Sequence, residues 1–345
     1  MKRPLTSADV EPAVYGGAIL GGGGGGHIRD GLELGRLAVD YGEPELWSVE
    51  ELAPDDLVAI CAGVGAPGAP DRYLKPVHYV RALDQLRRAT EQLYGRQVVA
   101  LASNENGALG TVNGWLQSSL TGLPVLDAPC NGRAHPSAAM GSLGLHRDPD
   151  YLSVAGFAGG RASNYVEGVL SGRLDKLSSL VRTASITAGG LVAVARNPVP
   201  VQRLVTDAGV GGISQAIDVG QAWVDGGPQA CAAALGGRLE AHGTAVDVRL
   251  EQRGGFDVGG CVVDGLELRF VNEYLTADRD RVQLAAFPDL IMTFDAEGRP
   301  LVSADLATGD QVSVLVAPAD QLRLSSTMAM PELLDAVTAL LPAGR

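Results

Sequence analysis

Aromatic side chains are scarce in this chain, at 5% of 345 residues, and basic ones are outnumbered, with 27 Lys and Arg against 40 Asp and Glu for a formal charge of −13. Nucleic-acid phosphates need a basic face, so no nucleic-acid partner is expected. No stretch approaches the ~20 apolar residues of a membrane span, so no membrane partner is expected either. The four cysteines, Cys61, Cys130, Cys231 and Cys261, lie far apart and never in C-x-x-C spacing, which argues against zinc knuckles and a disulfide framework. An H-E-x-x-H metal motif is missing too. The opening residues Met1 to Thr6 carry positive charge but run into Asp9 and Glu11 rather than an apolar segment. No secretory signal is therefore expected, and a cytoplasmic location is.

Glycine, by contrast, is plentiful at 46 residues, and it includes an unbroken run from Gly21 to Gly26, followed by His27. Each glycine inside a helix costs about 1 kcal/mol relative to Ala, so this run reads as a loop whose backbone comes close to something. It follows a segment with helical spacing, Thr6 to Leu20, with Thr6 or Ser7 as cap, which reads as an amphipathic helix. A dinucleotide fingerprint belongs after a strand, so no nucleotide cofactor is expected. A structural turn and close approach to a substrate both remain open for the run.

Apolar runs at Leu57 to Ala62, Gln97 to Ala102 and Gly122 to Leu126 read as strands, each ending in a loop of Gly, Pro and polar residues. Helical spacing separates them at His78 to Leu93 and at Ala108 to Thr121, the alternation of an α/β fold. Gln202 to Asp225 and Pro228 to Leu235 also read as helical. From Arg238 to Val316 the chain turns to short alternating runs punctuated by Gly, Asp and Asn, as a small β-barrel or sandwich requires. A helix over Pro331 to Leu341 closes the chain. The expected architecture is α/β. The change near Gly236 sets an α/β part before a β-rich part, and the closing helix could dock back on the first.

The third strand ends in Asp127-Ala128-Pro129-Cys130-Asn131-Gly132-Arg133-Ala134-His135-Pro136. A carboxylate, a thiol, an amide, a guanidinium and an imidazole gather there within ten residues. The carboxyl ends of strands in an open α/β sheet are where ligands bind, so this stretch is the leading site candidate.

These residues resemble those of a known family, the S-methyl thiohydantoin desulfurase-like proteins. The resemblance rests on the glycine run after a helix, Gly65-Ala66-Pro67 after a strand, and Glu105 with Asn113-Gly114. It continues through Leu123 to Asp127 with Gly132-Arg133-Ala134 and Pro136, and then Gly254-Gly255-Phe256, Asn272-Glu273-Tyr274-Leu275 and Phe287 to Ile291. It implies a layered αβα domain over 1–235, completed by a returning segment over 319–345, that carries an inserted β-barrel-like domain over 236–318. It implies hydrolysis of a C–S or C–N bond in a five-membered imide-like ring, hydantoin or thiohydantoin, with zinc as a candidate cofactor. It also implies a hydantoinase-type enzyme as a candidate partner. The chain departs from the family run Asp-Ala-Asp-Gly-Met-Gly-Arg-Ala-Phe-Pro-Glu. Pro129 replaces the second Asp, Cys130 and Asn131 the Gly and Met, His135 the Phe, and Ser137 the Glu.

Three readings follow. In the first, the chain is a small-molecule hydrolase or desulfurase with Glu105, Asp127, Cys130 and His135 as catalytic candidates. Gly23, Gly24, Gly25, Arg133, Asn131 and Asn113 would contact the substrate, and zinc would sit on His27, Cys130 and His135. In the second, a metal-free enzyme uses Cys130 as nucleophile and His135 as base. In the third, the chain is a non-catalytic subunit or ligand-binding module that partners a ring-opening enzyme. A homo-oligomer is a candidate assembly in any of them. Each catalytic candidate also has a structural alternative. Cys130 can be a buried filler, Asp127 a cap or turn carboxylate, and Arg133 half of an ion pair.

Overall fold

A computed structural model describes residues 1–65, 69, 71–253 and 256–341. Ala66, Pro67, Gly254 and Gly255, quoted above for the resemblance, lie outside the described residues.

Two eight-stranded sheets organise the chain. The first is built from β1 (Lys2–Pro4), β2 (Glu45–Trp47), β3 (Leu57–Gly65), β4 (Val98–Ser103), β5 (Val125–Leu126), β6 (Ser153–Gly159), β7 (Val166–Gly172) and β8 (Leu191–Pro200), in the order β1-β2-β5-β4-β3-β8-β6-β7. Strands β2, β5, β4 and β3 run parallel, and the rest pair antiparallel. The sheet is thus mixed, with antiparallel strands β8, β6 and β7 added to the parallel ones read from the sequence. Strand β3 alternates strictly, as a strand covered on both faces must. Ala59 and Cys61 pack with Leu83 and Leu86 of the helix over Pro76–Tyr94, while Val58 and Ile60 pack with Leu204 of the helix over Val201–Asp207. Each buried leucine contributes about 1.5–3 kcal/mol.

The helices are α1 (Ser7–Gly21), α2 (Ile28–Tyr41), α3 (Pro76–Tyr94), α4 (Trp115–Thr121), α5 (Leu174–Thr187), α6 (Val201–Asp207), α7 (Gly212–Ala234) and α8 (Pro331–Thr338). Helix α1 is not amphipathic as expected. Nearly all of its second half is buried, because it lies against α2 and α7 and reaches the second sheet through Ile19 and Leu20. Its crossing with α7 is close enough that a Cβ at Gly16 would overlap the carbonyl of Ala216. The helix read over Ala108 to Thr121 shortens to α4, since residues 107–114 form turns around three glycines, Gly107, Gly110 and Gly114. The helix read through Asp225 is two helices, α6 and α7, and α7 itself kinks at Gly226 and Gly227. The closing helix ends at Thr338 rather than Leu341.

The second sheet comprises β9 (Arg238–Arg253), β10 (Phe256–Val263), β11 (Leu266–Val271), β12 (Glu273–Arg279), β13 (Val282–Ala286), β14 (Leu290–Phe294), β15 (Pro300–Leu301) and β16 (Gln311–Ala317), all antiparallel, in the order β13-β12-β11-β10-β9-β16-β14-β15. It curls as a half-barrel around Leu268, Phe270, Tyr274, Ile291 and Val314. Ladder irregularities in β9, β11 and β12 supply the bends that curling needs.

Candidate active site

The parallel strands β3, β4 and β5 end side by side, and the loops after β4 and β5 carry the residues singled out above. Asn106 ties these loops together. Its Nδ2 donates to the carbonyls of Gly132 (3.2 Å) and Gly212 (2.7 Å), and its backbone N–H donates to Asn131 (3.0 Å). The Gly21 to Gly26 run packs on the same loop, where the carbonyl of Gly25 accepts from the N–H of Leu109 (3.1 Å). Its far side meets the curled sheet, with Tyr274 N–H donating to Gly22 and Ser303 N–H to Gly23. A Cβ at Gly24 would overlap the Glu273 carboxylate, and one at Gly25 would lie 2.5 Å from Gly107 Cα. The glycine run is therefore the seam between the two sheets, and close backbone approach is the physical reason for it.

At this seam lies a buried charged cluster. Glu105 Oε2 sits 3.2 Å from His135 Nε2, and it also accepts the His135 backbone N–H at 3.4 Å. Behind them, Arg196 donates to Asn104 Oδ1 (2.6 Å), and Asn104 Nδ2 lies 3.5 Å from His135 Nε2. Burial pushes the Glu105 carboxyl up from 4.5 to about 7, although the Arg196 charge and the His135 N–H pull it down. Burial, helped by the Arg196 charge, takes His135 down to about 4. At neutral pH the pair is a neutral imidazole beside a carboxyl poised near half-ionisation. The imidazole side chain is 3% exposed and the carboxyl 21%, so solvent reaches the pair on the glutamate side.

Glu273 and Arg133 extend the cluster under the glycine run. Glu273 is buried and lies close enough to Glu105 that the second carboxylate adds to burial in raising its pKa. Arg133 is fully buried and donates to the carbonyls of Pro288 (2.9 Å) and Asp289 (2.6 Å), with its guanidinium 4.3 Å from the centre of the Phe287 ring. Burial lowers it to about 10, opposed by Glu273 and Asp289. Arg133 Nε and Nη2 and Glu273 Oε2 have no hydrogen-bond partner among the described residues. Buried donors and acceptors without partners are costly, about 1–3 kcal/mol each, and they concentrate where a site awaits a ligand or water.

The other candidates sit elsewhere or are already engaged. Asp127 Oδ1 accepts from the N–H groups of Ile213 (2.8 Å) and Ser214 (3.0 Å), and Oδ2 from Ser214 Oγ (2.6 Å), so it caps α7. Cys130 is packed among Ile60, Ala100, Leu126 and Val199, and burial pushes its thiol up to about 12. Asn131 ties the loop to the C-terminal segment, accepting from the N–H of Ser325 (3.0 Å) and donating to the carbonyl of Arg133 (2.9 Å). Asn113 is buried, and its Oδ1 has no partner among the described residues. His27 faces Asp305 at 3.7 Å.

The metal set His27, Cys130 and His135 therefore does not converge, and among the described residues no three His, Cys, Asp or Glu side chains gather to hold an ion. A catalytic zinc takes three protein ligands, which these positions do not supply together, so no step below runs through a metal.

Asn104, Arg196 and Glu273 escaped the sequence reading. Arg196 had a signal, because it is a charge within the apolar run of β8, and such a charge must be paired or functional. Glu273 had one as well, since it stands among residues that carried the family resemblance. Among the described residues no helix is long and apolar enough to cross a membrane.

Comparison with known proteins adds three findings. Residues 8–162 match the profile "S-Me-THD-like, N-terminal domain" and residues 173–330 match "S-Me-THD-like, C-terminal domain". The boundary between the two profiles falls in the first sheet, near β7, rather than at the change to alternating runs. A crystal structure of a protein from Chromobacterium violaceum is similar in fold, with TM-score 0.74 at 24% identity, covering 98% of this chain and 96% of that one. No curated protein matches the chain.

Proposed function

The chain belongs to the S-Me-THD-like family, and from that premise we propose that it hydrolyses or desulfurises a small cyclic amide or thioamide of the hydantoin or thiohydantoin type. The observation that carries the reading is Glu105, a partly accessible carboxyl held near pH 7 and 3.2 Å from a neutral imidazole. A general base works best when its pKa lies near the working pH, and burial of Glu105 achieves that.

In the proposed reaction the Glu105 carboxylate takes a proton from water as the water oxygen adds to the ring carbon. In a cyclic amide or thioamide the C=O or C=S π-electrons move onto oxygen or sulfur, and in an S-methyl thiohydantoin those of the C=N move onto the ring nitrogen. The tetrahedral anion then collapses by re-forming that double bond, expelling the ring nitrogen in the first case and the methylthio group in the second, and the leaving nitrogen or sulfur takes the proton from Glu105. His135 holds the carboxyl in place and accepts a hydrogen bond while Glu105 is protonated. Arg196, fixed through Asn104, and Arg133, with Nε and Nη2 unpartnered among the described residues, supply positive potential for the negative charge of the intermediate. Cys130 has no part in this scheme, because a thiol raised to about 12 carries almost no thiolate at neutral pH.

The test is a pH–rate profile on hydantoin and S-methyl thiohydantoin substrates for wild type, Glu105→Gln and His135→Gln. Wild type is expected to show a rising limb with an apparent pKa near 7. Glu105→Gln should lose that limb and about 10²–10⁴-fold in kcat. A wild-type enzyme inert on every cyclic amide and thioamide offered would favour the partner-subunit reading instead.

A further inference from the structure

The first turns of α2 and α3 open together on a cavity of about 740 Å³, within the range of small-molecule sites. It has one apolar wall, formed by Leu34, Leu37, Tyr79, Leu109 and Leu191. Its rim is charged, and those charges are unequally engaged. Arg72 is paired with Asp30, and Arg29 Nε lies 3.5 Å from the same carboxylate. Lys75 has no acidic partner among the described residues, and its nearest aromatic group is the Tyr73 ring at 5.6 Å. Glu33 also lines the cavity and has no cationic partner among them. The cavity thus presents an apolar body site, an ammonium that can take an anion and a carboxylate that can take an N–H.

We propose that this cavity binds a small carboxylate with an apolar side chain and an adjacent N–H, the chemistry of an N-carbamoyl or N-acyl amino acid. The carboxylate meets Lys75, the N–H meets Glu33 and the side chain lies on the leucine wall. The cavity borders the Glu105 loop, since Leu109 follows Glu105 by four residues and its N–H is held by Gly25. The choice among carboxylates rests on the reading above, because opening a cyclic amide ring creates a carboxylate and leaves an N–H beside it.

The experiment is titration calorimetry on the full chain with N-carbamoyl-leucine and its uncharged carboxamide. The acid is expected to bind at least about tenfold tighter than the amide, and Lys75→Ala to weaken the acid by about tenfold while leaving the amide unchanged. Equal affinity for acid and amide, an unchanged Lys75→Ala, or no binding of the acid overturns the assignment. Should Lys75→Ala fail to fold, Glu33→Gln provides the second variant, expected to weaken both ligands through the N–H. Binding retained in Glu105→Gln, with turnover lost, supports the cavity as a site in its own right. Acid binding by a wild type that opens no ring supports the cavity while refuting the hydrolase.

Discussion

Replacing Glu105 by Gln probes the electrostatics of the site independently of any substrate. The folded chain holds the Glu105 proton up to about pH 7, whereas the unfolded chain sheds it near 4.5. Unfolding therefore releases a proton across that window, and stability falls as pH rises through it. At about 1.36 kcal/mol per pKa unit the full effect above pH 7 is about 3 kcal/mol. With 21% of the side chain exposed to solvent, about 2 kcal/mol is the more realistic figure. Gln fills nearly the same volume without a charge, so Glu105→Gln should be more stable than wild type by about 2 kcal/mol at pH 8 and indistinguishable from it near pH 4.5. Unfolding entropy of about 2 cal/mol/K per residue gives about 0.7 kcal/mol/K for this chain, so the difference at pH 8 is a Tm rise of about 3 °C. Calorimetry of both proteins from pH 4.5 to 8.5 reads it. His135 acts in the opposite sense, since its lowered pKa removes stability as pH falls from 6.5 towards 4. The wild-type profile is flattened where the two overlap, and the difference between the proteins isolates Glu105. A Glu105→Gln variant that melts below wild type at pH 8 would mean that the charged carboxylate is favourably held, and the general-base role would fall with it.

Asp127→Ala removes three bonds at the start of α7 and should cost about 3 kcal/mol, a Tm loss of about 4 °C, with no change in the pH–rate limb near 7. An altered limb would make Asp127 part of the chemistry. Native protein at pH 8 should leave Cys130 unalkylated by iodoacetamide and react there only after denaturation, read by peptide mass spectrometry; rapid native labelling would revive the thiol nucleophile. Gly25→Ala, at φ +81° and 2.5 Å from Gly107 Cα, should destabilise by about 2–3 kcal/mol in thermal melts. Full stability would show that the seam has slack.

What the sequence disclosed and what it concealed divide along the range of the interactions involved. Strands β3, β4 and β5 were legible because their apolar runs are continuous and their ends carry turn residues. The change to alternating runs near residue 238 was equally plain in its period of two. Strands β6 and β7 were not read as a pair, since glycines interrupt both runs, and they gain their order from β8 and from each other. Within the site, Glu105 and His135 were named separately, and nothing in a spacing of thirty residues says that they touch. Asp127, placed among the catalytic candidates by its neighbours in sequence, caps a helix that begins 85 residues later. The clustering of five chemical types in ten residues was real, but the loop sends its side chains in different directions. Asn131 and Asp127 brace the scaffold, Cys130 fills the core, and His135 alone turns to Glu105.

The route by which the two sheets meet bears on how the site keeps its geometry. Tyr274 of the curled sheet and Ser303 in the turn after β15 donate to Gly22 and Gly23, while Arg133 from the first sheet's loop donates to Pro288 and Asp289 beyond β13. Asp289 in turn accepts from the N–H of Ala319 on the returning chain (2.9 Å). The bonds run in both directions across the seam, so neither sheet can swing without breaking buried polar contacts, each costing about 1–3 kcal/mol when left unmade. Glu273 stands at the start of β12, directly before Tyr274, and burial together with the Glu105 charge favours its neutral form. The Glu105 carboxyl is set instead by its own burial, the His135 N–H and Arg196, so Glu273 contributes its shape beneath Gly24 rather than a charge. Glu273→Gln keeps that neutral shape and should leave both the rising limb of the pH–rate profile and its plateau in place. A limb that shifts towards acid would mean that Glu273 is ionised and raises Glu105 from the opposite sheet.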